Sequence, residues 1–143
     1  MAGEKNMSES LVKSVQDMLN EEKWTRATIS NYSISNFKDL DTVIREAQAE
    51  KCIDEIKTLC DEHLSHTKNS IIALYLSGIS ALSKQLLDDS ALINLINIFI
   101  DNHKTPIVEH LCNRVLDFGE SKFALRTLAD CYKESNNDAL FSV

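Results

Sequence analysis

Turn-forming residues are scarce in this chain: one proline and three glycines in 143 residues. A sandwich or barrel of short strands needs a turn signal about every 8–12 residues, so this supply excludes an all-β fold and favours an all-α one. No apolar run reaches the ~20 residues that a bilayer crossing requires. The two greasiest stretches, Asn69–Ser83 and Ser90–Ile100, carry no charge, but Lys84, Asp88 and Asp89 separate them. The opening MAGEKNMSES lacks the apolar segment of a secretory leader. A cytoplasmic location is expected, with Cys52, Cys60, Cys112 and Cys131 as reduced thiols at apolar helix positions.

Also missing is any cluster of basic residues. Lysine and arginine number 15 against 22 acids, a net charge of −7. Direct nucleic-acid contact and binding to an anionic membrane are both disfavoured. Three glycines cannot supply a phosphate cradle, and no Ser–His–Asp order is present. The segment is therefore expected to hold no catalytic residue, cofactor or metal.

What is present is helical periodicity throughout. Ser8 is read as the cap of a first helix ending near Glu22, with Leu11, Val12, Val15, Met18 and Leu19 on one face. Thr25–Ser35 lacks a helical period and reads as an ordered loop pinned by Trp24, Tyr32 and Ile34. Asn36 is expected to cap the second helix, and a third follows with little gap from about Glu50 to His66. The two apolar runs form a central hairpin, each helix apolar nearly all round and so buried between neighbours. Gly78 in mid-helix marks a close approach, because it costs about 1 kcal/mol against alanine. Thr105–Pro106 opens a sixth helix that Gly119 stops. Ser121 opens a seventh that ends near Asn136 and Asn137, and Asp138 opens an eighth. Residues 1–7 are taken as a disordered N-terminus or tag remnant, and 8–143 as one domain, a fragment of a longer chain.

Shifting the fifth helix by 33 residues places Ala91, Leu92, Leu95 and Phe99 on Ala124, Leu125, Leu128 and Tyr132. That period suits stacked helical hairpins of tetratricopeptide or HEAT type. The expected architecture is antiparallel helical hairpins in an α-solenoid or a helical bundle. In a solenoid, the first helices of successive hairpins line a concave face, which would present Asn97, Asp101, Arg126, Asp130 and Lys133 to a partner. Asn94 and Asn97 need hydrogen-bond partners if they are buried.

Two constellations invite chemistry. Cys60, His63 and His66 are metal-ligand types, but residues six apart on a helix point about 120° away from each other. They read as a buried thiol and two imidazoles suited to a helix C-terminus. The pairs Asp88–Asp89 and Glu21–Glu22 lack the opposed environments that acid–base work needs. Asp89 reads as a helix cap and the glutamates as solvated surface.

Ile34–Ile44, Cys60–Ser80, Asp88–Lys104 and Ala124–Ser135 together resemble the N-terminal extension of the long Gre-type transcription elongation factors of spirochaetes. The likeness runs from about Met7 to Val143. In that family a helical-repeat region precedes a core with an acidic-tipped coiled-coil finger, which enters the secondary channel of RNA polymerase and promotes cleavage of backtracked transcript. None of that core is present in this sequence, so the resemblance implies no catalytic residue here. It implies a protein-interaction module of a Gre-like factor, with RNA polymerase or another protein as partner. The alternative is a tetratricopeptide-like adaptor, such as a cochaperone, unrelated to transcription.

Overall fold

A computed structural model of the protein describes residues 2–22, 29, 31–85 and 88–141, with side chains among them from 9 to 133. Seven helices and no strand occur among the described residues: α1 (Ala2–Glu21), α2 (Ile34–Ala49), α3 (Ile53–His66), α4 (Ile71–Ser83), α5 (Ser90–Asp101), α6 (Thr105–Leu116) and α7 (Lys122–Phe141). They pack as antiparallel neighbours, α3 on α4, α4 on α5, α5 on α6 and α6 on α7. The expected all-α architecture of helical hairpins is what forms.

Helix α4 is the hub. Ten of its residues, from Ile71 to Ala81, are buried, and it touches α1, α2, α3 and α5. An apolar helix with no charged face can be accommodated only by neighbours on every side. Its partner α5 behaves differently from the expectation. Leu92, Leu95, Ile96 and Phe99 are buried, whereas Asn94, Asn97, Ile100 and Asp101 face solvent. Both asparagines are exposed, so neither needs an internal partner. The core is knitted by aromatics: Phe37 of α2 lies 5.1 Å from the Tyr75 ring and meets Phe99 edge-on at 5.7 Å.

Helix ends depart from the sequence reading in consistent ways. Ser8 lies inside α1, which begins at Ala2 despite Gly3 and Asn6 in its first turns. Ser33 precedes α2, and Asn36 folds back instead, its Oδ1 accepting the Ser33 N–H at 2.8 Å. Asp89 holds the position before α5, but the capping carboxylate is that of Asp88, which accepts Ser90 N–H at 3.1 Å and Ser90 Oγ at 2.6 Å. Those two bonds hold the Asp88 carboxyl below its ordinary pKa. Lys104 rather than Thr105 precedes α6, and Pro106 still falls in its first turn. Ser121 caps α7 as expected, accepting Ala124 N–H at 3.1 Å. No eighth helix begins at Asp138: α7 continues through Asn136–Asp138, which are poor helix formers but not breakers. Of the expected loop, Trp24 and residues 25–28 and 30 lie outside the described residues, as do Ser142 and Val143, whereas Ile34 and Ser35 form the start of α2. Of that stretch, Ile29 is buried and its carbonyl accepts Tyr32 N–H at 3.1 Å.

The gap between α2 and α3 is short, as expected: only Glu50, Lys51 and Cys52 separate them. Lys51 adopts φ 57°, while Cys52 N–H reaches Ala47 O at 2.9 Å and Lys51 N–H reaches Gln48 O at 3.2 Å. That paired closure satisfies the last carbonyls of α2 with a left-handed residue, normally glycine. His103 (φ 58°) closes α5 the same way, through Lys104 N–H to Phe99 O at 2.9 Å and its own N–H to Ile100 O at 3.1 Å.

Candidate interaction surface

Two carboxylates, half-buried Glu22 and buried Asp41, tie together α4 and α6, the helices on which surface helices α5 and α7 pack. Glu22, just past α1, was expected on solvated surface but is half-buried. Its Oε2 accepts Tyr32 Oη at 2.6 Å and Ile72 N–H at 3.1 Å, and its Oε1 accepts the Ser70 hydroxyl. Ser70 in turn caps α4, accepting Ala73 N–H at 3.2 Å. A carboxylate at the N-terminus of α4 satisfies open N–H groups and complements the helix dipole. Burial, then the Glu22 bond, pushes the Tyr32 hydroxyl well above its ordinary pKa.

Asp41 of α2 is the second anchor. It accepts Tyr75 Oη at 2.6 Å from α4 and Arg114 Nε at 3.3 Å from α6. Arg114 also stacks over the Phe118 ring, 5.0 Å from its centroid. Helices α2, α4 and α6 therefore converge on one buried charge. In a one-dimensional stack each hairpin touches only the next, whereas here α2 packs on both α4 and α6. Burial first, then the Asp41 bond, raises the Tyr75 pKa.

The four thiols are buried in this core, while the imidazoles lie at its edge or on the surface. Cys60 is fully buried, and burial followed by the Asp61 charge raises its pKa to about 12. His63 is half-buried and His66 exposed. Among the described residues no three His, Cys, Asp or Glu side chains are grouped to hold a metal ion. His110 has a buried Nε2 without a hydrogen-bond partner, and burial holds its pKa below the ordinary value.

All five residues expected on the partner face, Asn97, Asp101, Arg126, Asp130 and Lys133, are exposed. Asp130 lines a groove of about 280 Å³ with Ile100, His103, Lys104 and Thr127, where the end of α5 faces α7. The other four lie outside that groove. The 33-residue alignment does not carry over to packing. Leu125 and Tyr132, matched to buried Leu92 and Phe99, are each 54 % exposed. The buried stripe of α7 is Ala124, Thr127, Leu128 and Cys131, which lies in phase with that of α5 at a spacing one residue shorter. Leu125 and Tyr132 are surface residues, although the repeat alignment pairs them with positions that are core in α5. The available signal was the line of charges beside them on the helix.

The fold and this surface define an all-α scaffold of packed helical hairpins. Compared with known proteins, the chain is 60 % identical over 115 residues to a Treponema pallidum (strain Nichols) protein named "Putative GreA-associated domains protein", covering 80 % of this chain and 18 % of that one. It is 38 % identical over 130 residues to a Borreliella burgdorferi protein named "Transcription elongation factor GreA", covering 90 % of this chain and 14 % of that one. The chain is thus similar to one segment of much longer GreA and GreA-associated proteins from Treponema and Borreliella. It spans less than a fifth of the length of either relative. No family model and no solved structure matches it.

Proposed function

We propose that this chain is a non-catalytic protein-interaction domain of a Gre-like transcription elongation factor, working in the cytoplasm with RNA polymerase as its partner. The observation that carries the reading is the match over 90 % of the chain to a protein named as a GreA elongation factor. The surface supports it. Its exposed apolar and charged side chains sit on α5 and α7, which pack on helices tied to their neighbours by Glu22 and Asp41, an arrangement that suits docking by preformed complementarity. Transcript cleavage, on this reading, belongs to a finger-bearing region elsewhere in the full protein. Arg126, Asp130 and Lys133 of α7, with Asn97 and Asp101 of α5, are the residues assigned to the partner.

The test is a pull-down of purified spirochaete RNA polymerase on the immobilised chain, paired with a cleavage assay on backtracked complexes. Retention of polymerase without stimulation of cleavage is the expected outcome. A chain that retains no polymerase, or that stimulates cleavage by itself, overturns the proposal.

A further inference from the structure

Four large apolar side chains stand out to solvent among the described residues, and two of them share one face of α7. Leu125 and Tyr132 are each 54 % exposed and one heptad apart, with exposed Ala129 between them. At about 100° per residue these three occupy an arc of roughly 60°. Lys122, Lys133 and Arg126, all exposed, fall in the next arc round the helix, roughly 40° wide. Asp130 lies beyond them, toward the groove that contains Ile100. The segment 122–133 holds three basic residues and one acid, a local charge of +2 in a chain whose net charge is −7.

We infer that this face of α7 is the docking seam for an acidic amphipathic helix of a partner protein. The inference rests on the interaction-module reading and names the site and the partner chemistry. Spacing of i, i+4 and i+7 is what a second helix engages with its own apolar residues. Ala129 between the larger side chains lets the backbones approach. The basic border selects glutamate or aspartate flanking the partner's apolar stripe, and rejects lysine-flanked helices by like-charge juxtaposition. A second copy of α7 fits poorly. Laid antiparallel about Ala129, Arg126 would face Lys133 of the other copy. A membrane surface fits poorly as well, because the stripe is three residues long on an acidic protein.

The probe is a synthetic helical peptide with leucines at i, i+3, i+4 and i+7 and glutamates beside them, compared with its lysine-flanked twin. Titrated into the isotopically labelled chain, the glutamate peptide is expected to bind saturably. It should move the backbone amide resonances of Leu125, Ala129 and Tyr132. The lysine twin should bind at least tenfold more weakly. Leu125→Ser with Tyr132→Ser should abolish binding at an unchanged melting temperature, since both side chains are exposed. Arg126→Glu with Lys133→Glu should invert the preference between the two peptides, which keeps the test decisive if the serine variant is unstable. Equal affinity for both peptides overturns the inference. So do resonance shifts away from α7, concentration-dependent dimerisation lost in the serine variant, and co-sedimentation with phosphatidylserine vesicles. If polymerase is retained equally by wild type and the serine variant, this seam is wrong and the module reading stands. If the peptide binds as described but polymerase is not retained, the seam stands and the choice of polymerase falls.

Discussion

Gly78 of α4 lies directly beneath Leu92 of α5: a Cβ placed on the glycine would stand 2.8 Å from Leu92 Cδ2 and nearer still to Cγ. The close approach expected from the sequence is thus to a side chain, and that leucine is buried and cannot swing out. Gly78→Ala gains up to about 1 kcal/mol of helix propensity. Overpacking costs typically 1–3 kcal/mol, so the net effect should be destabilising. Gly78→Leu should be worse. In a Leu92→Ala background Gly78→Ala should become neutral or stabilising, a coupling that urea denaturation of the four proteins measures.

The left-handed residues at helix ends predict gains rather than losses. Lys51, Gln85 and His103 have φ of 57°, 61° and 58°. A non-glycine residue there costs roughly 1–2 kcal/mol, part of which glycine returns through its freer unfolded chain. Lys51→Gly and His103→Gly should each stabilise by about 0.5–1 kcal/mol. Glu50→Gly, one position earlier at φ −86°, should destabilise. Thermal melts of the three variants separate these outcomes.

These same positions show what was legible in the sequence. Seven apolar stripes gave the helices and the all-α class, because burial of one helix face is a local pattern. Helix boundaries were misplaced at Ser8, Asn36, Glu50 and Thr105, since lysine and histidine stand where glycine would have marked two of the ends. The anchors were illegible for a different reason. Glu22 reaches Ile72 across 50 positions and Asp41 reaches Arg114 across 73. No local pattern records such a pairing. Leu125 and Tyr132 depart from the repeat alignment because a one-residue change of phase turns a buried stripe into an exposed one.

Removal of the Glu22 carboxylate should be costly. Glu22→Ala leaves the Ser70 hydroxyl, the Tyr32 hydroxyl and Ile72 N–H without their acceptor. Hydrogen bonds to a charged group are worth about 1.5–3 kcal/mol each before relaxation and rehydration. A loss of about 2–4 kcal/mol is expected. Hydrogen exchange should show the first turn of α4 opening more than α6.

Ser80 offers the opposite case. It is fully buried, and its Oγ has no hydrogen-bond partner. Ser80→Ala removes an unsatisfied hydroxyl and raises helix propensity, so it should stabilise by about 1–2 kcal/mol. Ser77→Ala, one turn earlier, deletes the bond from that hydroxyl to Asp61 and should not stabilise.

Alkaline pH should unfold the protein through its buried acids. Cys60 and Cys112 are raised from 9.0 to about 12, chiefly by burial. A raised pKa means that the neutral thiol is favoured in the fold. Its contribution is fully present below pH 9.0 and is lost as pH climbs toward about 12. Stability should fall in that window by up to roughly 1.4 kcal/mol per pH unit for each thiol. Cys60→Ala and Cys112→Ala should each give a shallower decline in urea midpoints across that range, against their own stability at pH 7.

The proposed role of this helical scaffold is to grip RNA polymerase without performing chemistry. Interferometry of the immobilised chain against purified spirochaete RNA polymerase tests it most directly. Saturable, reversible binding at one chain per polymerase is the expected result. A flat response at micromolar polymerase, with the chain shown folded by circular dichroism, would contradict it.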